Sequence, residues 1–408
     1  MRSFLPLFAL LAATPALASE PRLLTPHEAL EQDAQAYAKH FSVSPDEALL
    51  RLRQQRASIA VTERLRQRFA GELASISIEH RPSWGVVVRL TGAAHPGDFV
   101  ATEQGLSIPV RFEVRAASTR AVALRVLDAE RATLPRMVPG YRGAGVDPLT
   151  GGLIVMQRPA ADKRSVAEVE RALFDRLGLP VRLRRLDATV ADSAAIGGGR
   201  VEGTGADGRR FRCTTGFVVR DGEGRLGVTT AAHCPDELSW RGPTGEERRL
   251  PMAEAWGAAH HDIQIHTGVG APQALVFSDR DKSSARPVTS WVTRPMTRSG
   301  DWLCLRGESS GFACSVVELT DFAPAGELCG GLCAASWVTM AGPECRRGDS
   351  GAPVFSGTLA YGVLKGGAYL AGGACAFSFY QSVDYLPGSW RLVTAKPLPL
   401  GGAVREAD

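Results

Sequence analysis

Three short stretches carry side chains that together can do nucleophilic chemistry. "TTAAHCPDE" places His233 after an apolar run and directly before Cys234; "GAAHHDIQIHTG" supplies Asp262; "ECRRGDSGAPVF" sets Ser350 between Asp349 and Gly351. A serine hydroxyl is a poor nucleophile until a neutral imidazole takes its proton. A carboxylate must then orient that imidazole and stabilise it as it charges. The order His, Asp, Ser reads as base, orienter and nucleophile. Gly348 and Gly351 permit a tight turn, so the amides of Gly348 and Ser350 can point at a developing oxyanion. Asp279, Asp281 and Asp301 also lie between the histidine and the serine and compete with Asp262 for its role. The tripeptide Arg347-Gly348-Asp349 matches an adhesion motif, but the nucleophile turn explains it better. His260, His261, Asp262 and His266 form a cluster that metals favour, yet without further ligands no metal and no cofactor is expected, and the extra histidines read as exposed loop residues.

The surroundings are consistent with export. The chain opens "MRSFLPLFALLAATPALASE": one Arg, an apolar run from Phe4 to Ala13, then Ala16-Leu17-Ala18 before Ser19. This is the layout of a secretory signal peptide over residues 1–18. The run is shorter than the roughly 20 residues that span a bilayer, and no later stretch is long and apolar enough, so no membrane partner is expected. All eight cysteines fall between Cys213 and Cys375, and an even count in an exported chain argues for disulfides. A Cys213–Cys234 bridge would fix the loop that carries His233. The net charge of +4 over 408 residues gives no reason to expect a nucleic-acid partner. The sequence contains no Asn, which excludes Asn-linked glycosylation.

The elements that must position these residues divide in two. Of 44 glycines, 33 fall at or after Gly197, as does every cysteine. Residues 20 to about 190 are instead rich in Arg, Ala, Glu and Leu. They contain three helix starts with capping-box spacing: Thr25-Pro26-His27-Glu28, Ser44-Pro45-Asp46-Glu47 and Ser165-Val166-Ala167-Glu168. The third predicts a helix with Val166, Val169, Leu173 and Leu177 on one face, stopping at Gly178. "PVRFEVR" (109–115) alternates like a half-exposed strand, and "GVDPLTGGLIVM" (145–156) reads as a hairpin. His27, His40, His80 and His95 are scattered and read as surface or capping residues. The second half has short apolar runs between Gly-rich turns, the pattern of an all-β sandwich or barrel. Between the halves lies "ATVADSAAIGGGRVEG" (188–203), a flexible linker and a good protease target.

"TAAHC" with "GDSGAP", in the order His, Asp, Ser, resembles the chymotrypsin-like serine proteases, and within them the secreted bacterial branch of streptogrisin and α-lytic protease type. "SGDWLCLRGESSGFACSVV" looks like that branch's cysteine loop and implies Cys304–Cys314. "GVLKGGAYLAGGAC" looks like its pocket-wall strand, implying Cys345–Cys375 and a substrate pocket at Lys365, Gly366 and Gly367. "GVDPLTGGLIV" resembles the end of the branch's pro-region. The resemblance covers roughly 196–390 well and about 140–190 loosely. It implies an all-β catalytic domain of two six-stranded antiparallel barrels, with the triad in the cleft, preceded by an α+β pro-domain. The implied organisation is a signal peptide at 1–18, a pro-region at 19–195, a protease domain at 196–390 and a tail at 391–408.

Several residues depart from that pattern. Ala352 stands where a second glycine often follows the nucleophile. Cys345 sits five positions before Ser350, which brings Arg346 and Arg347 to the pocket rim. Lys365 stands where a small hydroxyl residue usually supports the catalytic aspartate. Arg346, Arg347 and Lys365 could favour an acidic side chain in the substrate, or face solvent. Cys329 and Cys333 are extra and suit a short local bridge. Asp349 is expected to pair with a new N-terminus or with local amides. Cleavage between Ala195 and Ile196 would leave a start like the branch's mature one, freeing a protease from a pro-region that acts as chaperone and inhibitor. Pro-regions suit disulfide-bonded barrels of high contact order, which fold slowly and persist by a high unfolding barrier. The expected product is a monomeric, secreted or periplasmic serine endopeptidase acting on protein or peptide substrates. The rival is a catalytically silent binding module with a permanent N-terminal interaction domain. An α/β-hydrolase is disfavoured, because it orders its triad Ser, Asp, His.

Overall fold

The computed structural model describes residues 21–158, 163–185, 189–192, 198–205, 208–241, 247–256, 261–270, 272–328, 332–342, 345–369 and 375–395. The signal segment, Ala195, Ile196, His260 and Cys329 lie outside the described residues.

All three capping signals start helices. Thr25 and Glu28 form the full reciprocal box ahead of the helix Pro26–Phe41. Ser165 and Glu168 do the same for Val166–Leu177, which ends at Gly178 in the left-handed conformation. Ser44 caps Pro45–Arg68 through the amide of Glu47, but the Glu47 carboxylate turns forward to Arg51 instead. Val169, Leu173 and Leu177 are buried as their spacing requires, whereas Val166, at the first helical position, is exposed. Leu73–Glu79, Gly85–Leu90, Leu106–Glu113 and Phe99–Glu103 form a four-stranded sheet in that order. Val86, Val88, Val110 and Phe112 from this sheet pack on Ala57, Val61 and Leu65 of the long helix.

The second half is built mainly of strands, most of them in two sheets, while Leu275–Phe277 and Ser284–Pro287 form a third, small sheet with Arg22–Leu23. The first runs Arg210–Thr214, Arg200–Thr204, Glu237–Arg241, Glu247–Trp256, Ile263–His266, Leu226–Thr230, Val218–Arg220 and Arg391–Leu392. The presumed tail therefore begins inside the fold: Arg391–Leu392 pairs with Val218–Arg220, and Val393 N donates to Val218 O. The second sheet runs Gly311–Val316, Trp302–Gly307, Pro353–Ser356, Leu359–Tyr369, Cys375–Ser382, Trp337–Ala341 and Phe322–Pro324. It then continues into the first half, where Tyr141–Val146, Leu153–Gln157 and Val181–Arg185 extend it. The expected α+β first half and all-β second half are both present, and they share one sheet.

Buried polar contacts also join the halves. Asp33 and Arg286, both fully buried, pair at 2.9 Å. Arg298 reaches Ser58 Oγ at 2.7 Å and Gln55 O at 3.0 Å. His80 corrects the expectation of a surface histidine: it is buried, with Phe41 stacked on it. Tyr37 Oη donates to its Nδ1 at 2.8 Å, and Nε2 faces Gly300 O at 2.7 Å. A carbonyl can only accept, so the neutral ring carries its proton on Nε2. Burial, helped by Arg51 and His40 and opposed by the Gly300 bond, brings the pKa of His80 down to about 4. The unfolded chain then binds this proton more tightly than the folded one. This contribution to stability is complete above about pH 6.5 and is lost as pH falls towards 4, amounting to about 3 kcal/mol. Urea unfolding midpoints of His80→Gln should lack that part of the acid slope; an identical slope in both chains would refute the assignment.

Candidate active site

The three sequence-predicted residues converge. Leu226–Thr230 pairs with Ile263–His266, with Thr230 opposite Gln264. The loop after one strand and the residue before the other therefore end side by side, which places His233 next to Asp262. The Cys213–Cys234 bridge anchors that loop, and Gln264 Nε2 donates to Cys234 O at 3.3 Å. His233 Nδ1 lies 2.7 Å from Asp262 Oδ2, and the His233 amide donates to Asp262 Oδ1 at 2.9 Å. The carboxylate fixes both the ring's tautomer and the loop's position. Asp262 is buried, and burial acts to raise its pKa. The charges of His233 and Lys365 and their hydrogen bonds outweigh burial and hold the carboxyl well below the usual carboxylate range. Of the competing aspartates, Asp279 caps the 283–284 turn and Asp301 pairs with Arg298, so neither faces His233.

Ser350 Oγ lies 2.8 Å from His233 Nε2 on the other side of the ring. With the Nδ1 proton committed to Asp262, Nε2 is the acceptor that can take the serine proton. Lys365 O also lies within reach of the same hydroxyl, at 2.7 Å. One hydroxyl has one proton, and only donation to Nε2 activates the oxygen.

The nucleophile turn is held by close approach. Gly351 has φ +89°, and a Cβ there would fall 2.0 Å from Thr214 O. Thr214 N donates to Ser350 O, and Gly351 N to Leu364 O. Gly348 has φ +116°, and among the described residues the amides of Gly348 and Ser350 have no hydrogen-bond partner. Two such donors on one turn beside the nucleophile can serve an oxyanion. Asp349 takes the second of its expected partners: its carboxylate accepts from the amides of Ser309, Ser310 and Arg346. Burial pushes its pKa up against those three bonds.

The residues read as a substrate pocket differ in their surroundings. Arg346 and Arg347 are exposed, and the Arg347 guanidinium sits 5.7 Å from the ring centre of Tyr369. Gly366 and Gly367 lie in the strand Leu359–Tyr369, where a Cβ on Gly367 would meet both sulfurs of Cys345–Cys375. Lys365 does not face solvent: it is 3% exposed and its Nζ lies 3.2 Å from Asp262 Oδ2. A lone ammonium inside the apolar run "YGVLKGG" cannot stay charged without a partner, and that was the available signal.

Three of the four disulfides, Cys213–Cys234, Cys304–Cys314 and Cys345–Cys375, are formed. For Cys329–Cys333, Cys329 is outside the described residues. Two histidines expected in exposed loops are not exposed: His266 is buried with Nδ1 on Leu250 O, and His261 stacks on Tyr385. Sequence reasoning did not find the segment Thr189–Asp192, which pairs antiparallel with 366–369 beside the nucleophile. Among the described residues no helix is long and apolar enough to cross a membrane.

No family model and no curated protein matches the chain. Among solved structures it is similar to chymotrypsin-like bacterial serine proteases over about half its length. Nocardiopsis protease is 24% identical, with 49% of this chain and all of that one covered and a TM-score of 0.38. Thermobifida fusca protease A is 23% identical, covering 50% and 100%, with a TM-score of 0.37. A glutamic-acid-specific serine protease described as using a histidine triad in substrate binding is 22% identical, covering 46% and 93%, with a TM-score of 0.37.

Proposed function

We propose that the chain is an exported serine endopeptidase made as a self-inhibited pre-pro-protein. The observation that carries this reading is the continuous relay Asp262 Oδ2, His233 Nδ1, His233 Nε2, Ser350 Oγ, with both gaps under 3 Å. Ser350 Oγ attacks the scissile carbonyl carbon while its proton passes to His233 Nε2. The carbonyl oxygen takes the electron pair and is met by the amides of Gly348 and Ser350. Collapse expels the amine, which leaves with the proton from Nε2, and an ester joins the acyl group to Ser350. Water repeats the sequence and frees the acid. No cofactor enters these steps. His233, held by Asp262, is base and then acid.

Self-inhibition rests on the pairing of 189–192 with 366–369, which covers the strand edge beside Ser350 where a peptide backbone would add. The same connection leads to Ala195–Ile196, the proposed maturation cleavage, after which residues 19–195 would leave a protease domain beginning at 196. The shared sheet suits a first half that templates folding of the second. Its products would act on protein or peptide substrates in the periplasm or outside the cell, as a monomer.

A fluorophosphonate probe should label the secreted protein at Ser350, with labelling lost in Ser350→Ala. Absent labelling, or labelling unchanged by that substitution, would favour the silent binding module instead. Sequencing the N-terminus of the secreted product tests maturation, and a chain still beginning at Ser19 would sink it.

A further inference from the structure

Lys365 is a fully enclosed cation placed directly on the residue that orients the base. Its Nζ lies 3.2 Å from Asp262 Oδ2, the same oxygen that His233 Nδ1 approaches at 2.7 Å. The face of Trp337, itself almost wholly buried, also lies against it, 5.8 Å from Nζ to the ring centre. A buried ammonium is retained only where a carboxylate and a polarisable face replace its water. We propose that Lys365 is a positioning residue of the relay: it locks the Asp262 carboxylate in place and sets the pH below which His233 can no longer act as base. The proposal rests on the serine-protease reading above.

The sign follows from which state each charge favours. Asp262 stabilises the imidazolium that forms when His233 takes a proton. A cation on the same carboxylate oxygen cancels part of that negative field and repels the imidazolium. Lys365 therefore favours the neutral, proton-accepting ring, and the protein should remain competent in more acidic solution than a relay without it. The neighbouring titratable groups do not mimic this effect. The charges acting on Asp262 are those of His233 and Lys365. His266, further along the same strand, has its pKa lowered by burial, against its bond to Leu250 O and the charge of Asp236. His261, just before Asp262, stacks on Tyr385 and meets Trp256 edge-on. Asp349, in the nucleophile turn, is held by the amides of Ser309, Ser310 and Arg346.

The test is the pH profile of kcat/KM on a peptide amide, measured on the secreted product of the full-length gene, in wild type and Lys365→Met. The acid limb of the methionine variant should move up by about one pH unit, as expected for loss of a unit charge a few ångströms away. The plateau at high pH should fall by no more than about tenfold. Lys365→Arg, which keeps the charge, should keep the wild-type limb. Where methionine crowds the site, Lys365→Ser reads the same limb. A merely structural lysine would lower the plateau and leave the limb in place, and that result overturns the proposal. A readout independent of turnover is the ring titration of His233, followed by 15N NMR in Ser350→Ala with and without Lys365→Met. An unchanged titration there also overturns it. If wild type neither cleaves peptides nor labels with fluorophosphonate, it is the protease reading that falls, and NMR still reports on the lysine.

Discussion

Ser350→Ala should lower kcat/KM for peptide hydrolysis by on the order of 10^6-fold, and His233→Ala should lower it by nearly as much. The reason is geometric. Ser350 Oγ has value as a nucleophile only because Nε2 sits 2.8 Å away and can accept its proton, and Nε2 is the accepting nitrogen only because Asp262 holds the Nδ1 proton. Removing either end of that pair removes the whole function, so the double variant Ser350→Ala/His233→Ala should be no slower than either single one. Asp262→Asn should cost about 10^4-fold, since an amide in that place can hold the ring in the wrong tautomer. Residual hydrolysis should survive all three, because the Gly348 and Ser350 amides remain on the turn. Single-turnover hydrolysis of an amide substrate measures each loss. Losses that multiply in the double variant, or a serine variant slowed by less than about a hundredfold, would show that Ser350 and His233 do not act as a unit.

The relay was legible because each member announces itself locally. His233 precedes a cysteine at the end of an apolar run, Ser350 sits in a glycine turn, and Asp262 opens an alternating strand. The helix starts were equally legible, since a capping box is a short-range pattern. Long-range partnerships were not. Nothing near Lys365 in the sequence says that its ammonium turns towards Asp262, 103 positions earlier. Nothing near His80 says that Gly300 O will close over it. The sequence also divided the chain into two halves by composition, and the structure joins them through a sheet that pairs Phe322–Pro324 with Tyr141–Val146. Strand pairing between distant segments leaves no local trace, because the backbone groups that pair are the same in every residue.

Breaking the buried ion pair between the halves should strongly destabilise the full chain. In Asp33→Ala, Arg286 would keep Gly357 O at 3.0 Å, Gln32 Oε1 and the faces of Phe355 and Phe312, but lose the carboxylate it pairs with. The amide of Gly357 would lose its acceptor as well. Both partners are fully enclosed, so water cannot replace the missing charge without opening the contact. An uncompensated buried guanidinium of this kind costs about 3–5 kcal/mol. The paired replacement Asp33→Leu/Arg286→Met removes both charges and should recover most of the loss, because the desolvation that the pair had to offset disappears with it. The measurement is urea unfolding of the full chain in a Ser350→Ala background, which prevents self-cleavage, followed by tryptophan fluorescence. Trp302 packs against Tyr37 and Phe41 at the same contact and reports its opening. A loss below about 1 kcal/mol in Asp33→Ala, or a double variant as unstable as the single, would mean that the halves are held by their apolar contacts and shared sheet alone. The predicted ordering has a functional consequence. The enclosed contact and the shared sheet together let residues 189–192 stay on the strand edge beside Ser350 until the chain is cut, and cutting alone would not release the first half. Release would then require the buried arginine to meet water.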